Sequence, residues 1–116
     1  GSTIAAILRA REAGLAAFPG NPAGLNRLGY ANRRLGRFAE AQGAYERALA
    51  LDPNFADAER NLGIVLDLYR AEPAAALPHL ERYQALTSGA DQEVAGWIKE
   101  LKTRLGQSER KVEGNP

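Results

Sequence analysis

The sequence predicts an all-α protein built of antiparallel helical hairpins stacked into a solenoid of about six helices. Three observations predict it. Leu28-Gly29 returns 34 residues later as Leu62-Gly63, and Glu12, Leu15-Ala16 and Pro19 return at the same interval as Glu46, Leu49-Ala50 and Pro53. A fixed period of this size marks an array in which each unit buries its apolar face only against its neighbours. Apolar residues recur at three- and four-residue spacing between clusters of Pro, Gly, Asn and Asp, the pattern of amphipathic helices separated by breakers. The composition, 45% apolar and 25% charged, is that of a chain able to bury a core.

Each helix has its own signals. The first is expected over residues 3–18, with Ile4, Ile7, Leu8, Leu15 and Phe18 on one face, and Pro19-Gly20-Asn21-Pro22 closes it. The second runs from Pro22 or Ala23 to Leu35. Leu25, Leu28 and Leu35 line it, Pro22 suits its first turn, and Gly36 suits a left-handed stop. The third covers residues 38–51, with Phe38, Ala41, Tyr45, Ala48 and Leu49 on one stripe and Asp52-Pro53-Asn54 after it. The fourth begins near Phe55 or Ala56 and reaches Tyr69, carrying Leu62, Val65, Leu66 and Leu68 before a break at residues 70–73.

The fifth spans residues 73–86, with Leu77, Leu80, Tyr83 and Leu86 apolar. Pro78 removes a backbone donor there, at a cost of ~3 kcal/mol in a true interior, so it is expected in the opening turns or at a slight bend. Asp91 is a good N-cap, Glu93 favours the first turn, and the sixth helix follows over 91–105 with Val94, Trp97, Ile98, Leu101 and Leu105 inward. After Gly106, residues 107–116 hold one apolar residue, Val112, and read as disordered.

Charge and composition exclude several functions. Net charge is +1, with seven Arg against four acids in residues 1–55 and eight cations against ten acids in residues 56–116. That asymmetry is too weak to argue for DNA or an anionic membrane. The chain has no Cys, so disulfides and thiolate metal sites are ruled out. No apolar run approaches the ~20 residues of a membrane helix, and no signal peptide is visible. Gly1-Ser2 resembles the remnant of a cleaved tag, and the richness in Ala, Arg, Leu and Gly suggests a bacterial gene of high GC content.

The stretch Leu25-x2-Leu28-Gly29-x2-Asn32-x3-Gly36-x4-Ala41-x3-Tyr45-x2-Ala48-x4-Pro53 resembles a tetratricopeptide repeat (TPR). Gly29 and Ala41 are small, so two antiparallel helices can approach closely; Leu28, Tyr45 and Leu49 fill the seam. Asn32 departs from the pattern, standing where the family has a large residue. The resemblance implies a right-handed solenoid and divides the chain: a second helix of a preceding partial repeat at 3–21, one unit at 22–55, another at 56–90, a capping helix at 91–106, and the tail from 107. In the second unit Ala76, Leu80 and Tyr83 arrive one residue late, so a one-residue insertion is expected in the turn between its helices. Tyr83 also stands where a small residue is expected.

The resemblance further implies that the first helix of each pair lines a concave face. The candidate partner-binding residues there are Asn26, Tyr30, Arg33, Asp57, Arg60, Ile64, Asp67 and Lys99, with Ala23, Ala95 and Lys102 beside them. Such a face suits an extended or helical peptide, its cations pairing with carboxylates and Tyr30 stacking on an apolar side chain. The same residues are also ordinary solvated positions. Some family members grip a terminal carboxylate with Lys, Asn and Arg; Asn26, Arg60 and Lys99 fall near those places, whereas Tyr30 and Ile64 depart from them.

Arg27, Arg33, Arg34 and Arg37 form a basic patch that reads either as an anion site or as a helix C-terminus favoured by its dipole. His79 is the only histidine; without a second His or Cys it makes no zinc site and is expected at the surface or in a seam. Trp97 reads as a core plug before a ligand platform. No phosphate loop, metal motif or nucleophile elbow is present, so no cofactor and no enzymatic activity are expected.

The expected function is therefore a non-catalytic scaffold that holds a partner peptide or helix in its concave groove. The alternative is a structural segment that packs against the rest of its own chain or self-associates through an exposed array end. No nucleic-acid partner and no membrane span are expected. The layout is similar to repeat domains of bacterial envelope and secretion proteins, which favours a periplasmic or envelope location over the cytoplasm.

Overall fold

Tyr45 and Leu80 occupy the space that a side chain at Gly29 and Gly63 would need, and two helical hairpins close around these contacts. The computed structural model describes residues 4–5 and 21–113, with side chains as far as residue 107. Its five helices are α1 (Pro22–Arg34), α2 (Phe38–Leu51), α3 (Ala56–Ile64, continued by a π-helical turn Val65–Tyr69), α4 (Pro73–Leu86) and α5 (Gln92–Glu113). The first helix expected from the sequence lies outside the described residues except for Ile4 and Ala5, which are helical.

Local chemistry sets the ends. The Asn21 side chain accepts from the Gly24 N–H at 3.0 Å, and Pro22 occupies the opening turn of α1. Gly36 (φ +77°) stops α1, and the Arg37 N–H closes back onto the Asn32 carbonyl at 2.8 Å. Asp91 caps α5 by accepting from the Val94 N–H at 3.1 Å. Pro78 lies past the opening turn of α4 on its exposed side, so the carbonyl it leaves without an in-helix donor belongs to exposed Ala74.

Two expectations are corrected. Residues 107–113, expected as the start of a disordered tail, continue α5 to Glu113; Gln, Glu, Arg and Lys are good helix formers, and no proline interrupts them. The one-residue insertion sits inside α3 rather than in the turn after it. Gly29 and Gly63 are 34 apart, but the left-handed stops Gly36 and Ala71 are 35 apart. The extra residue is absorbed by the π turn, where the Arg70 N–H reaches the Val65 carbonyl at 2.9 Å and the Glu72 N–H reaches Leu66 at 2.8 Å.

Three apolar clusters run along the array. Leu25, Leu28 and Ala31 of α1 meet Ala44 and Ala48 of α2 and Ala58 of α3. Ala41 and Tyr45 of α2 meet Leu62, Val65 and Leu66 of α3 and Ala76 of α4. Leu80 of α4 meets Val94 and Leu101 of α5, flanked by Trp97 and Tyr83. Leu25, Leu62, Leu80 and Leu101 are each no more than 1% exposed, and each such side chain contributes about 1.5–3 kcal/mol by its burial.

Polar groups are buried with these clusters. Asn32, 3% exposed, donates to the Leu28 carbonyl one turn back at 3.1 Å. Glu59 occupies the place that Leu25 holds in the first unit. It is 6% exposed, and its Oε2 lies 2.7 Å from His79 Nδ1, which puts the only histidine in the α3–α4 seam. Asp91 accepts from the Tyr83 hydroxyl at 2.8 Å and from Arg60 Nε at 3.4 Å, joining α3, α4 and the start of α5. Asp67 accepts from Trp97 Nε1 at 2.7 Å and pairs with Arg104, so that the cap is latched to α3.

Three predictions rest on this packing. Gly29→Ala should lower stability by about 1–3 kcal/mol, because the Tyr45 ring must move, whereas Gly43→Ala, with nothing within 4 Å of the new methyl, should raise it by about 0.5–1 kcal/mol; denaturant unfolding compares them. Ala71→Gly should raise stability by roughly 0.5–1 kcal/mol by relieving a left-handed alanine (φ +52°), read in the same assay. The Val94 N–H first, then the Tyr83 hydroxyl, hold Asp91 below its ordinary value of 3.8, and the same bond raises Tyr83. A depressed carboxylate contributes stability above its unfolded value and loses it as pH falls through the folded value. Asp91→Asn, which keeps a cap, should therefore melt below the parent at pH 6 and match it more closely as pH drops under 3.8.

Candidate functional site in the concave groove

Three helices supply the face on which the expected partner-binding residues lie. On α1, the turn from Asn26 to Tyr30 faces Asn61 of α3, and the Asn61 side-chain amide donates to Asn26 Oδ1 at 3.0 Å. Around this amide pair lies a cavity of about 540 Å³ lined by Ile4, Asn26, Arg27, Tyr30, Ala31, Arg34 and Asn61. Among the described residues its wall holds two guanidinium groups, two amides and a phenol, and no carboxylate.

The arginines beside it are arranged against aromatic faces. Arg33 lies 5.2 Å from the Tyr30 ring centre and 5.8 Å from that of Tyr69, while Arg34 sits at 6.0 Å from Tyr30. Arg34 Nη1 also approaches the Tyr30 hydroxyl at 3.4 Å. Among the described residues none of Arg27, Arg33, Arg34 and Arg37 forms an ion pair. Below them, burial pushes the Tyr45 hydroxyl up to about 12, with nearby Arg33 acting in the opposite direction. This end of the groove is thus cationic, with no acid paired to these arginines among the described residues.

The other expected residues fall elsewhere. Arg60 is directed to Asp91, and the side chain of Asp67 is only 3% exposed beneath Trp97 and Arg104, so both are occupied within the fold. Trp97 is partly buried against the Leu80–Val94–Leu101 cluster, which agrees with a core plug, but its indole N–H also completes the Asp67 latch. Ile64 is half-buried, and Asp57 and Lys99 are exposed. Asn26, Arg60 and Lys99 are joined by no mutual hydrogen bond. Lys102 pairs with Glu81 at 3.3 Å.

Of the eight expected residues, the cavity gathers Asn26 and Tyr30, with Arg33 adjacent. Arg27, Arg34 and Asn61 were missed as groove residues, although a signal existed: Arg27 and Asn61 are 34 apart and each follows a groove position, Asn26 and Arg60. Among the described residues no group of three or more His, Cys, Asp or Glu is placed to hold a metal ion, and no helix is long and apolar enough to cross a membrane.

Residues 22–55 match the family model for the tetratricopeptide repeat. The chain is similar to the first TPR of Spaghetti (RPAP3) bound to the HSP90 peptide SRMEEVD, at 22% identity and a TM-score of 0.79, covering 90% of this chain and 82% of that one. It is similar to the Sgt2 TPR domain from Aspergillus fumigatus, at 19% identity and a TM-score of 0.80, over 94% and 72%. The TPR2B domain of yeast Sti1, solved as a complex with pHsp70, matches at 22% identity and a TM-score of 0.73, over 92% and 86%. No curated protein sequence matches the chain significantly. Domains of this kind are non-catalytic scaffolds. With the repeat itself at residues 22–55 and a second hairpin and a long final helix stacked upon it, the chain is a protein of tetratricopeptide repeat fold.

Proposed function

We propose that the chain is a protein-interaction module that holds an acidic peptide in its concave groove, with a carboxylate seated at the end formed by Asn26, Arg27, Tyr30, Arg34 and Asn61. The observation that carries this reading is a cavity whose described lining gathers two guanidiniums and two amides. A carboxylate entering it meets the Arg27 and Arg34 guanidiniums and amide and phenol groups able to donate, and arginine binds carboxylates in a forked geometry. The exposed half of Tyr30 offers a flat face for a neighbouring apolar side chain. Acidic peptides also fit what similar domains hold, since the sequence SRMEEVD carries three acids. The compositional bias toward Ala, Arg, Leu and Gly supports a bacterial source, and the layout's similarity to repeat domains of bacterial envelope and secretion proteins supports a multiprotein assembly of that kind as the setting.

Fluorescence anisotropy with labelled SRMEEVD, and with the same peptide carrying Lys in place of each acid, tests the groove. The acidic peptide should bind and the Lys version should not. Arg34→Ala combined with Asn61→Ala should weaken binding by about tenfold, the size expected for loss of charge-assisted contacts, with an unchanged melting temperature. Equal binding of the two peptides, or indifference to the double change, would remove the groove from the function.

A further inference from the structure

The π turn that absorbs the extra residue of α3 changes what the array shows at its turn edge. In the first unit Leu35 packs against the core; its counterpart by the 34-residue count, Tyr69, is 43% exposed, and Leu68 beside it is 63% exposed. Tyr69 stacks on Phe38 of the neighbouring hairpin, ring centres 4.6 Å apart, and its hydroxyl accepts from Arg33 Nη1 at 3.4 Å. The edge therefore displays Leu68 and a Phe38–Tyr69 stack, and it brings Arg70 to the same end as Arg33, Arg34 and Arg37. None of these four guanidiniums forms an ion pair among the described residues. Glu40 and Glu72 are the acids of this edge, which leaves it with two net positive charges.

Elsewhere among the described residues Arg60, Lys102 and Arg104 each pair with an acid, whereas Arg27, Arg47, Arg82 and Lys99 do not, so it is the grouping of four guanidiniums beside an apolar surface that sets this edge apart. An apolar residue and an aromatic stack ringed by unmatched guanidiniums make up the composition of a docking patch, an apolar centre with a charged rim. A π-helical turn is a costly local irregularity that recurs at functional sites, and here it is followed by a strained left-handed Ala71.

We infer that this turn edge, centred on Leu68 and Tyr69 with Phe38, Arg37 and Arg70, is a second docking surface, separate from the concave groove. Its partner is a short acidic peptide segment bearing one aromatic side chain. Charge complementarity selects the acids, and the Leu68–Tyr69 surface takes the aromatic ring. A nucleic acid fits poorly, because tight binding to a polyanion requires many phosphate contacts and two glutamates stand within the patch.

The test uses the ¹⁵N-labelled full chain with its groove first filled by excess SRMEEVD, and an acetylated, amidated probe, Glu-Asp-Phe-Glu-Asp. Amide shifts should concentrate at residues 33–38 and 65–72 and weaken with added salt. Leu68→Asp with Arg70→Glu, both exposed and remote from the core clusters, should reduce affinity at least about fivefold while leaving SRMEEVD binding in the groove intact. The probe with Ala for Phe should bind at least about threefold more weakly, since one buried aromatic face is lost. Any of four results overturns the inference: no shifts at about 1 mM probe, the range of the weakest specific contacts; shifts confined to the lining of the Asn26–Asn61 cavity; equal binding of the Ala probe; or a uridine decamer binding the same residues more tightly than the peptide.

Discussion

The distance between paired helices governs everything else in this array. At Gly29 and again at Gly63 a hydrogen stands where any other residue would place a carbon, and Tyr45 and Leu80 fill that space. Because protein interiors pack at crystal-like density, such a contact fixes helix separation and rotation together. Once α1 is pressed on α2 in this way, Leu25, Leu28 and Ala31 have only one seam to enter, and the second hairpin repeats the arrangement through Leu62 and Val65. The groove inherits its shape from the same contacts, since Asn26 and Tyr30 sit on the side of α1 away from that seam.

The two hairpins share this geometry but differ in chemistry. Where the first unit buries Leu25, the second buries Glu59 and satisfies it with His79. A buried carboxyl needs a polar partner, so this pair ties α3 to α4 through a contact that an apolar Leu at position 59 would not make. The cap is attached by polar groups as well, through Asp67 with Trp97 and Arg104 and through Asp91 with Tyr83 and Arg60. Among the described residues, the acid–base pairs lie between α3, α4 and α5, whereas Arg27, Arg33, Arg34 and Arg37 pair with no acid.

Much of the fold was legible because spacing survives translation into structure. The Leu-Gly echo, the Pro and Gly breakers and the Asp91 cap each act through local backbone chemistry, and the limits of α2 and α4 follow from them. The location of the insertion was not legible: a late Ala76 is equally consistent with a longer turn and with a wider helical turn, and only the hydrogen bonds of Arg70 and Glu72 separate the two. The groove was legible in part. Periodicity assigns a face, and two residues expected on it, Asn26 and Tyr30, line one cavity, but periodicity is blind to side-chain partners. Arg60 and Asp67, expected on the same face, are engaged by Asp91, Trp97 and Arg104, residues from 30 to 37 positions away whose approach depends on tertiary packing.

The π turn also bears on how such an array can change over time. A residue added to a regular helix rotates everything beyond it by roughly 100° and would misalign every later seam. Here the added residue is confined to five positions, and α4 meets α3 with Leu80 seated over Gly63 just as Tyr45 is seated over Gly29. The turn acts as a slip joint. Sequence on its outer side is free to drift and acquire new contacts while the seams behind it stay in phase, so novelty in this chain can accumulate at the edge without renegotiating the core.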